Sequence, residues 1–388
     1  MIFMNRRITR RIRPIALNAV QTGLKSFSNV IISLLIIRLF SETLWGEVVF
    51  YFIFIDLAFN IIDWGSKNYL LLKFSERPDQ MRQQWQESLF TRFFLPVLGI
   101  IVLIFLPISF IIKVAIIIWA VGRYIYSSLE PVINYQRDYK FSIVAESGSL
   151  LVIVIPLLFL DNLRVGDILI AYAIAFVLRA LLAGLHYRKF FRKYSFVFSR
   201  KFIFSAFPFL LMGLSGILLS RADLYLVAAL LPKAALGQYQ VLNSLLLFGI
   251  FSISWLLTPF EKNIYRLKPA SLKKLQYKMV LYGFPASIGL MLFIFIFLKF
   301  IFLFEFSFTI YFLGFLYLYS FFLYLIRLYY FSKKNKQHVA VAFSAVAGGV
   351  NILAGLILIP GMGISGALTA AVIGQLCLIL LLFQTALD

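Results

Sequence analysis

Four cationic side chains, Lys25, Arg38, Arg179 and Arg221, lie inside long runs of apolar residues. A charge near the centre of a bilayer costs roughly 2.5–3.5 kcal/mol on insertion scales, so a helix that faces only lipid has no use for one. The chemistry open to these groups is binding of a desolvated anion, and arginine presents the paired donors that phosphate oxygens fit. Each also has a plainer reading. Arg38 can snorkel outward, Arg179 can snorkel inward, and Arg221 can pair with Asp223 or Glu146. Four carboxylates share the apolar runs: Asp56, Asp63, Glu146 and Asp223. A carboxylate in a dry site can take up a proton or a sodium ion. Glu146, alone within Val144-Ala-Glu-Ser-Gly148, is the best candidate for ion coupling, followed by Asp223 and Asp56. Its alternative is a buried ion pair with Lys25 or Arg179. Asp63 reads as a cap at the inner end of its helix, ahead of Gly65.

Other chemistries find no support in the residues. Only two histidines, His186 and His338, are present, and the single cysteine, Cys377, allows no disulfide within the chain. No His/Cys/carboxylate cluster has metal-ligand spacing, no Gly-rich phosphate loop is present, and no Ser or Cys nucleophile motif occurs. The expectation is a protein that is not an enzyme and holds no resident cofactor or metal, with H+ or Na+ as its coupling ion.

The elements that position these charges are membrane helices. The chain has 388 residues, 62% of them hydrophobic and 14% charged, where a soluble domain is about a quarter charged. Apolar runs long enough to span a bilayer recur, and twelve fit: 16–40, 43–63, 89–106, 108–128, 141–160, 166–187, 203–230, 235–260, 277–300, 306–330, 338–360 and 364–386. The basic N-terminus leads into the first without a small-residue cleavage site, so that run is read as a retained span and not a signal peptide. The net charge of +21 is topogenic and not a nucleic-acid footprint. With both termini cytoplasmic, 29 of the 37 Lys and Arg residues fall in or beside inner segments, against four at the outer links.

An internal repeat divides the chain. Leu39-Phe-Ser-Glu-Thr-Leu-Trp-Gly46-Glu-Val superposes on Leu230-Leu-Pro-Lys-Ala-Ala-Leu-Gly237-Gln-Tyr at an offset of 191, and Val165-Gly166-Asp167 echoes Ser365-Gly366-Ala367 at an offset of 200. Residues 1–187 then form one six-helix bundle, 188–202 a cytoplasmic basic linker, and 203–388 a second six-helix bundle. The predicted fold is an all-α integral membrane protein of about twelve helices, two bundles around a central cavity, rocking between inward-open and outward-open states. Pro208 and Pro285 fall within spans seven and nine and read as hinges. The segment Pro78–Ser88 reads as an amphipathic cytoplasmic connector lying on anionic headgroups or, the favoured alternative, as a solvated loop.

Arg221-Ala-Asp223-Leu-Tyr, Leu236-Gly237-Gln-Tyr239, Leu257-Thr-Pro259 and Asn351 with Ile359-Pro360-Gly361-Met-Gly363-Ile-Ser-Gly366-Ala367 together resemble the Wzx-type polysaccharide flippases. These belong to the multidrug/oligosaccharidyl-lipid/polysaccharide (MOP) exporter superfamily, and the similarity extends over essentially all twelve spans. The resemblance implies a MATE/MOP-like transporter in the bacterial inner membrane that moves an undecaprenyl-pyrophosphate-linked oligosaccharide (O-antigen, capsule or exopolysaccharide) to the periplasmic leaflet. It also implies membrane lipid, a polymerase and a chain-length protein as partners. Lys25, Arg221, Arg179 and Arg38 would then face the pyrophosphate. Asn243, Gln240 and Asn351, with Gln238 and Gln375, would hydrogen-bond sugar hydroxyls or else join helices. Three rivals stay open: a drug/cation antiporter, a glycosyltransferase or polymerase on the same lipid carrier, and a non-transporting scaffold.

Overall fold

In lipid, a backbone without water satisfies its polar groups within a helix. Every regular element among the described residues of the computed structural model is helical. The structure describes residues 2–192, 197–257, 264, 267–334 and 336–384. The Thr258-Pro259-Phe260-Glu261-Lys262 end of the eighth expected span lies outside them. The first eight helices are α1 (Ile2–Leu39), α2 (Glu42–Asp63), α3 (Ser66–Glu76), α4 (Met81–Arg92), α5 (Phe94–Phe105), α6 (Phe110–Gln136), α7 (Tyr139–Phe159) and α8 (Val165–His186). They are followed by α9 (Arg200–Leu230), α10 (Lys233–Leu257), α11 (Pro269–Ile296), α12 (Phe308–Lys333) and α13 (Gln337–Phe383).

Among the described residues, eleven helical segments are long and apolar enough to cross a membrane, where twelve were expected. The difference lies in α13. Its 47 residues would extend about 70 Å as a straight helix, more than twice a hydrocarbon core of about 30 Å. They do not run straight. Gly363, three residues past Pro360, has φ 58° and ψ −132°. Gly366 packs on the backbone of Leu358 and Ile359, and Gly374 lies against Ala347 and Asn351. These contacts require two antiparallel limbs, so the segment crosses twice, as the expected spans 338–360 and 364–386 do. The chain is a multi-pass, all-helical membrane protein.

Contacts group the chain into two units, residues 1–40 with 51–213, and residues 41–50 with 214–388. In the first unit α6 packs most extensively on α8, and α7 on both α1 and α8. A Cβ on Gly122 would meet the backbone of Phe176 and Val177 at 2.8 Å, so that glycine sets how closely α6 and α8 approach. Phe105, Phe110, Phe159 and Phe204 point outward, a surface suited to acyl chains.

The Pro78–Ser88 segment is not a solvated loop. It enters α4, whose Trp85, Gln86 and Ser88 are buried. Trp85 Nε1 donates to the Ser128 carbonyl at 2.8 Å, and Gln86 Nε2 donates to the Phe190 carbonyl at 2.8 Å. Trp85 belongs to an aromatic cluster with Phe74, Tyr126, Tyr187 and Phe190. Burial, then the adjacent Asp138 that accepts its hydroxyl at 3.0 Å, push the Tyr187 phenol upward and keep it a donor. Between α2 and α3 the chain bends at Trp64 and Gly65, with φ 50° and 68°. Arg92, 1% exposed, holds this bend. Its Nη1 donates to the carbonyls of Ile62 and Asp63 at 3.4 and 3.3 Å, filling acceptors that a helix end leaves open. Asp63 accepts from Ser66 Oγ at 2.8 Å and from the Lys67 backbone N–H at 3.4 Å, so it caps the start of α3 as well as closing α2.

In the second unit the two repeat motifs meet. A Cβ on Gly46 would overlap the Lys233 carbonyl, and one on Gly237 would lie 2.7 Å from the Glu42 carbonyl and 3.1 Å from the Gly46 nitrogen. Gln238 Nε2 donates to Glu42 Oε2 at 2.6 Å, and Trp45 Nε1 donates to Gln240 Oε1 at 3.0 Å. The starts of α2 and α10 thus cross in near backbone contact, which only glycine allows at both positions.

Candidate functional site

A cavity of about 290 Å³ lies within the first unit, walled by α1, α2, α6, α7 and α8. Helical spacing explains which residues reach it. On α1, Lys25, Ser28, Asn29 and Ile32 follow the i, i+3, i+4, i+7 rule and share one face. On α6 the same face carries Trp119, Arg123, Tyr126, Ser127 and Glu130. Asp56, Glu146 and Arg179 enter from α2, α7 and α8.

Six of these side chains and one neighbour form two ionic groups. The longer is a chain of alternating sign. Lys67 Nζ lies 3.0 Å from Glu130 Oε2, Lys25 Nζ lies 2.6 Å from Glu130 Oε1 and 3.5 Å from Glu146 Oε1, and Arg179 Nη2 lies 2.7 Å from Glu146 Oε2. Arg179 Nε also donates to Ser149 Oγ at 2.6 Å. The second group is Arg123 with Asp56, at 2.6 Å. The Phe176 ring separates the two, with Arg179 and Arg123 at 4.7 and 5.8 Å from its centroid. Phe52, Trp119 and Tyr172 close the adjacent wall, the last two stacked at 5.4 Å. The lining therefore carries three cations (Lys25, Arg123, Arg179) and three anions (Asp56, Glu130, Glu146). A buried charge stripped of its partner is strongly destabilising, which is why each cation here stands against a carboxylate.

Of the residues singled out in the sequence, Lys25, Arg179, Glu146 and Asp56 come together in this cavity. Glu146 is paired with both Lys25 and Arg179, the ion pair held open as its alternative. Arg38 is exposed in the last turn of α1, outside the cavity. Arg221, Asp223, Gln240, Asn243 and Asn351 belong to the second unit. There Asp223 is buried and accepts a hydrogen bond from the Tyr239 hydroxyl. Gln240 is engaged in helix contacts, accepting from Trp45 and donating to Ser244 Oγ at 2.9 Å. Asn243 is buried. Asn351 is buried with neither amide atom hydrogen-bonded among the described residues. Arg123 and Glu130 were not anticipated. Ending the fourth span at 128 placed Glu130 outside it and counted Arg123 as a flank charge, whereas α6 continues to Gln136. The signal was present: Trp119, Arg123, Tyr126 and Glu130 recur at helical spacing.

No protein-family description matches the chain, and no curated protein matches it. Solved structures do. The lipid II flippase MurJ, in an inward closed conformation, is similar with a TM-score of 0.68 at 13% identity, over 94% of this chain and 86% of that one. An inward-facing multidrug resistance MATE family transporter of the MOP superfamily gives 0.57 at 12% identity, over 92% of both chains. The eukaryotic MATE transporter AtDTX14 gives 0.55 at 15% identity, over 97% of this chain and 95% of that one. The chain thus has the fold shared by the lipid II flippase and the multidrug transporters of the MOP superfamily.

Proposed function

We propose that this protein is a flippase for an undecaprenyl-pyrophosphate-linked oligosaccharide in a bacterial inner membrane, both termini cytoplasmic, working by alternating access. The observation that carries the reading is the ion-lined cavity of a membrane unit, with Lys25, Arg123 and Arg179 within one space of about 290 Å³. Ammonium and guanidinium groups in a low-dielectric site are the natural partners of a desolvated pyrophosphate. The carboxylates Glu146, Asp56 and Asp223 are the groups through which H+ or Na+ would couple. Asn243 and Asn351 are assigned to the saccharide, Gln240 to joining helices through Trp45 and Ser244, and a polymerase and chain-length protein would receive the product.

Proteoliposomes loaded with the lipid-linked saccharide on one leaflet test this by leaflet accessibility. Lys25→Ala and Arg123→Ala should each slow flipping by about tenfold to a hundredfold, the worth of a charged hydrogen bond, while still inserting. Unchanged flipping in both would remove the cavity from the mechanism. The aromatic wall of Phe52, Trp119 and Tyr172 beside the carboxylate of Asp56 favours one second reading, export of an organic cation. Uptake of a cationic dye, with no movement of the lipid-linked saccharide, would put that reading first.

A further inference from the structure

We propose that Glu130 is an internal stand-in for the substrate's phosphate: Lys25 and Lys67 form a two-ammonium phosphoryl subsite that the protein's own carboxylate occupies in this state. The inference rests on the flippase reading and deepens it. The cations lining the cavity are matched by its carboxylates, so an entering phosphate gains little until one carboxylate gives way. Glu146 is a poor choice for that role. Its side chain is 2% exposed and is held by Arg179 at 2.7 Å, Lys25 at 3.5 Å and the Tyr126 hydroxyl at 3.4 Å. Asp56 pairs with the guanidinium of Arg123 at 2.6 Å.

Glu130 differs from both. Each of its carboxylate oxygens meets a separate ammonium, Oε1 with Lys25 at 2.6 Å and Oε2 with Lys67 at 3.0 Å. Two oxygens bridging two cations is the arrangement a phosphate would present, with further oxygens to spare. Its side chain is 18% exposed, and those of its lysines are 33% and 45% exposed. The lysines are also flexible point charges without a fixed fork, able to exchange one anion for another. Lys67 stands at the start of α3, directly after the Trp64–Gly65 bend, and is the most exposed member of the chain. It is therefore the first ammonium an incoming phosphate would meet, and Lys25 the second. Glu130 masks both until the phosphate arrives, then swings aside.

Binding of inorganic pyrophosphate to the purified full-length protein, by calorimetry at one fixed salt concentration, tests the proposal. Glu130→Gln should bind about tenfold more tightly than the unaltered protein, one charge-assisted contact no longer in competition. Lys67→Gln should bind roughly fivefold more weakly, and adding it to Glu130→Gln should erase most of the gain. Equal or weaker binding by Glu130→Gln, with Lys25→Ala still abolishing it, would overturn the masking role and leave the flippase reading standing. If Glu130→Gln does not fold, unchanged affinity in Lys67→Gln overturns the subsite by itself. Absence of pyrophosphate binding in every protein would overturn both this proposal and the reading beneath it.

Discussion

Glu146→Gln should lower the apparent Tm of the purified protein in detergent by roughly 10 °C. The side chain is 2% exposed and sits between Arg179 and Lys25. Removing its charge leaves a buried guanidinium facing a neutral amide, a change that costs about 3–5 kcal/mol when one partner of a buried pair is deleted. For a unit of this size each kcal/mol moves Tm by about 2–4 °C. The double variant Glu146→Gln with Arg179→Gln should recover a large part of the loss, because the uncompensated charge goes with its partner. A single variant as stable as the parent would mean that the pair contributes nothing to the fold. The same variants read the coupling role separately. If Glu146 carries the ion, flipping by Glu146→Gln should lose its dependence on a proton or sodium gradient; a structural Glu146 would lower stability and leave the gradient response intact.

The second large effect concerns packing. Gly46→Ala and Gly237→Ala should each leave little monodisperse protein after solubilisation. At Gly46 the added methyl overlaps the Lys233 carbonyl, and at Gly237 it presses on the Glu42 carbonyl at 2.7 Å. Neither neighbour is a side chain that can rotate away, so the two helices must separate, at a cost of about 3 kcal/mol or more. Separation also breaks the Gln238–Glu42 and Trp45–Gln240 hydrogen bonds. A methyl added at Gly216 or Gly349 would meet nothing within 4 Å. Alanine there should be neutral or stabilise by about 0.5–1 kcal/mol through helix propensity. Size-exclusion profiles of the four variants give the answer, and equal profiles would mean that the crossing tolerates a wider spacing.

Much of this was legible because charge in lipid is costly. Lys25, Arg179, Glu146 and Asp56 stand out against an apolar background, and four such residues from four different helices share one cavity. Their pairing was not legible. Glu146 lies 121 residues from Lys25 along the chain, and only the packing of α7 on α1 brings them within reach. Arg123 and Glu130 were hidden for another reason. Counting positive charges to orient the chain treats a basic residue near a helix end as a flank, and that assumption hid the face of α6 that runs from Trp119 to Glu130. The repeat was readable as a coincidence of Gly46 and Gly237, and contact between those glycines supplies its physical reason. The α4 segment was misread because its polar composition resembles a loop. Trp85 is covered by residues from distant helices and donates to a carbonyl 43 residues away on α6, and no local pattern carries that.

The reversal in α13 bears on how the chain is made. Between Gln337 and Phe383 there is neither Lys nor Arg, and the turn at Pro360–Gly363 offers no polar loop for the insertion machinery to hold on one side. Sidedness in helical membrane proteins is set by basic residues beside the spans, and the turn between the two limbs carries none. The two limbs are therefore expected to enter the bilayer as a single hairpin, with Lys333, Lys334 and Lys336 just upstream as the basic flank of the first. Neutralising those three lysines should therefore misplace both limbs together, scored by the accessibility of cysteines placed in the turn.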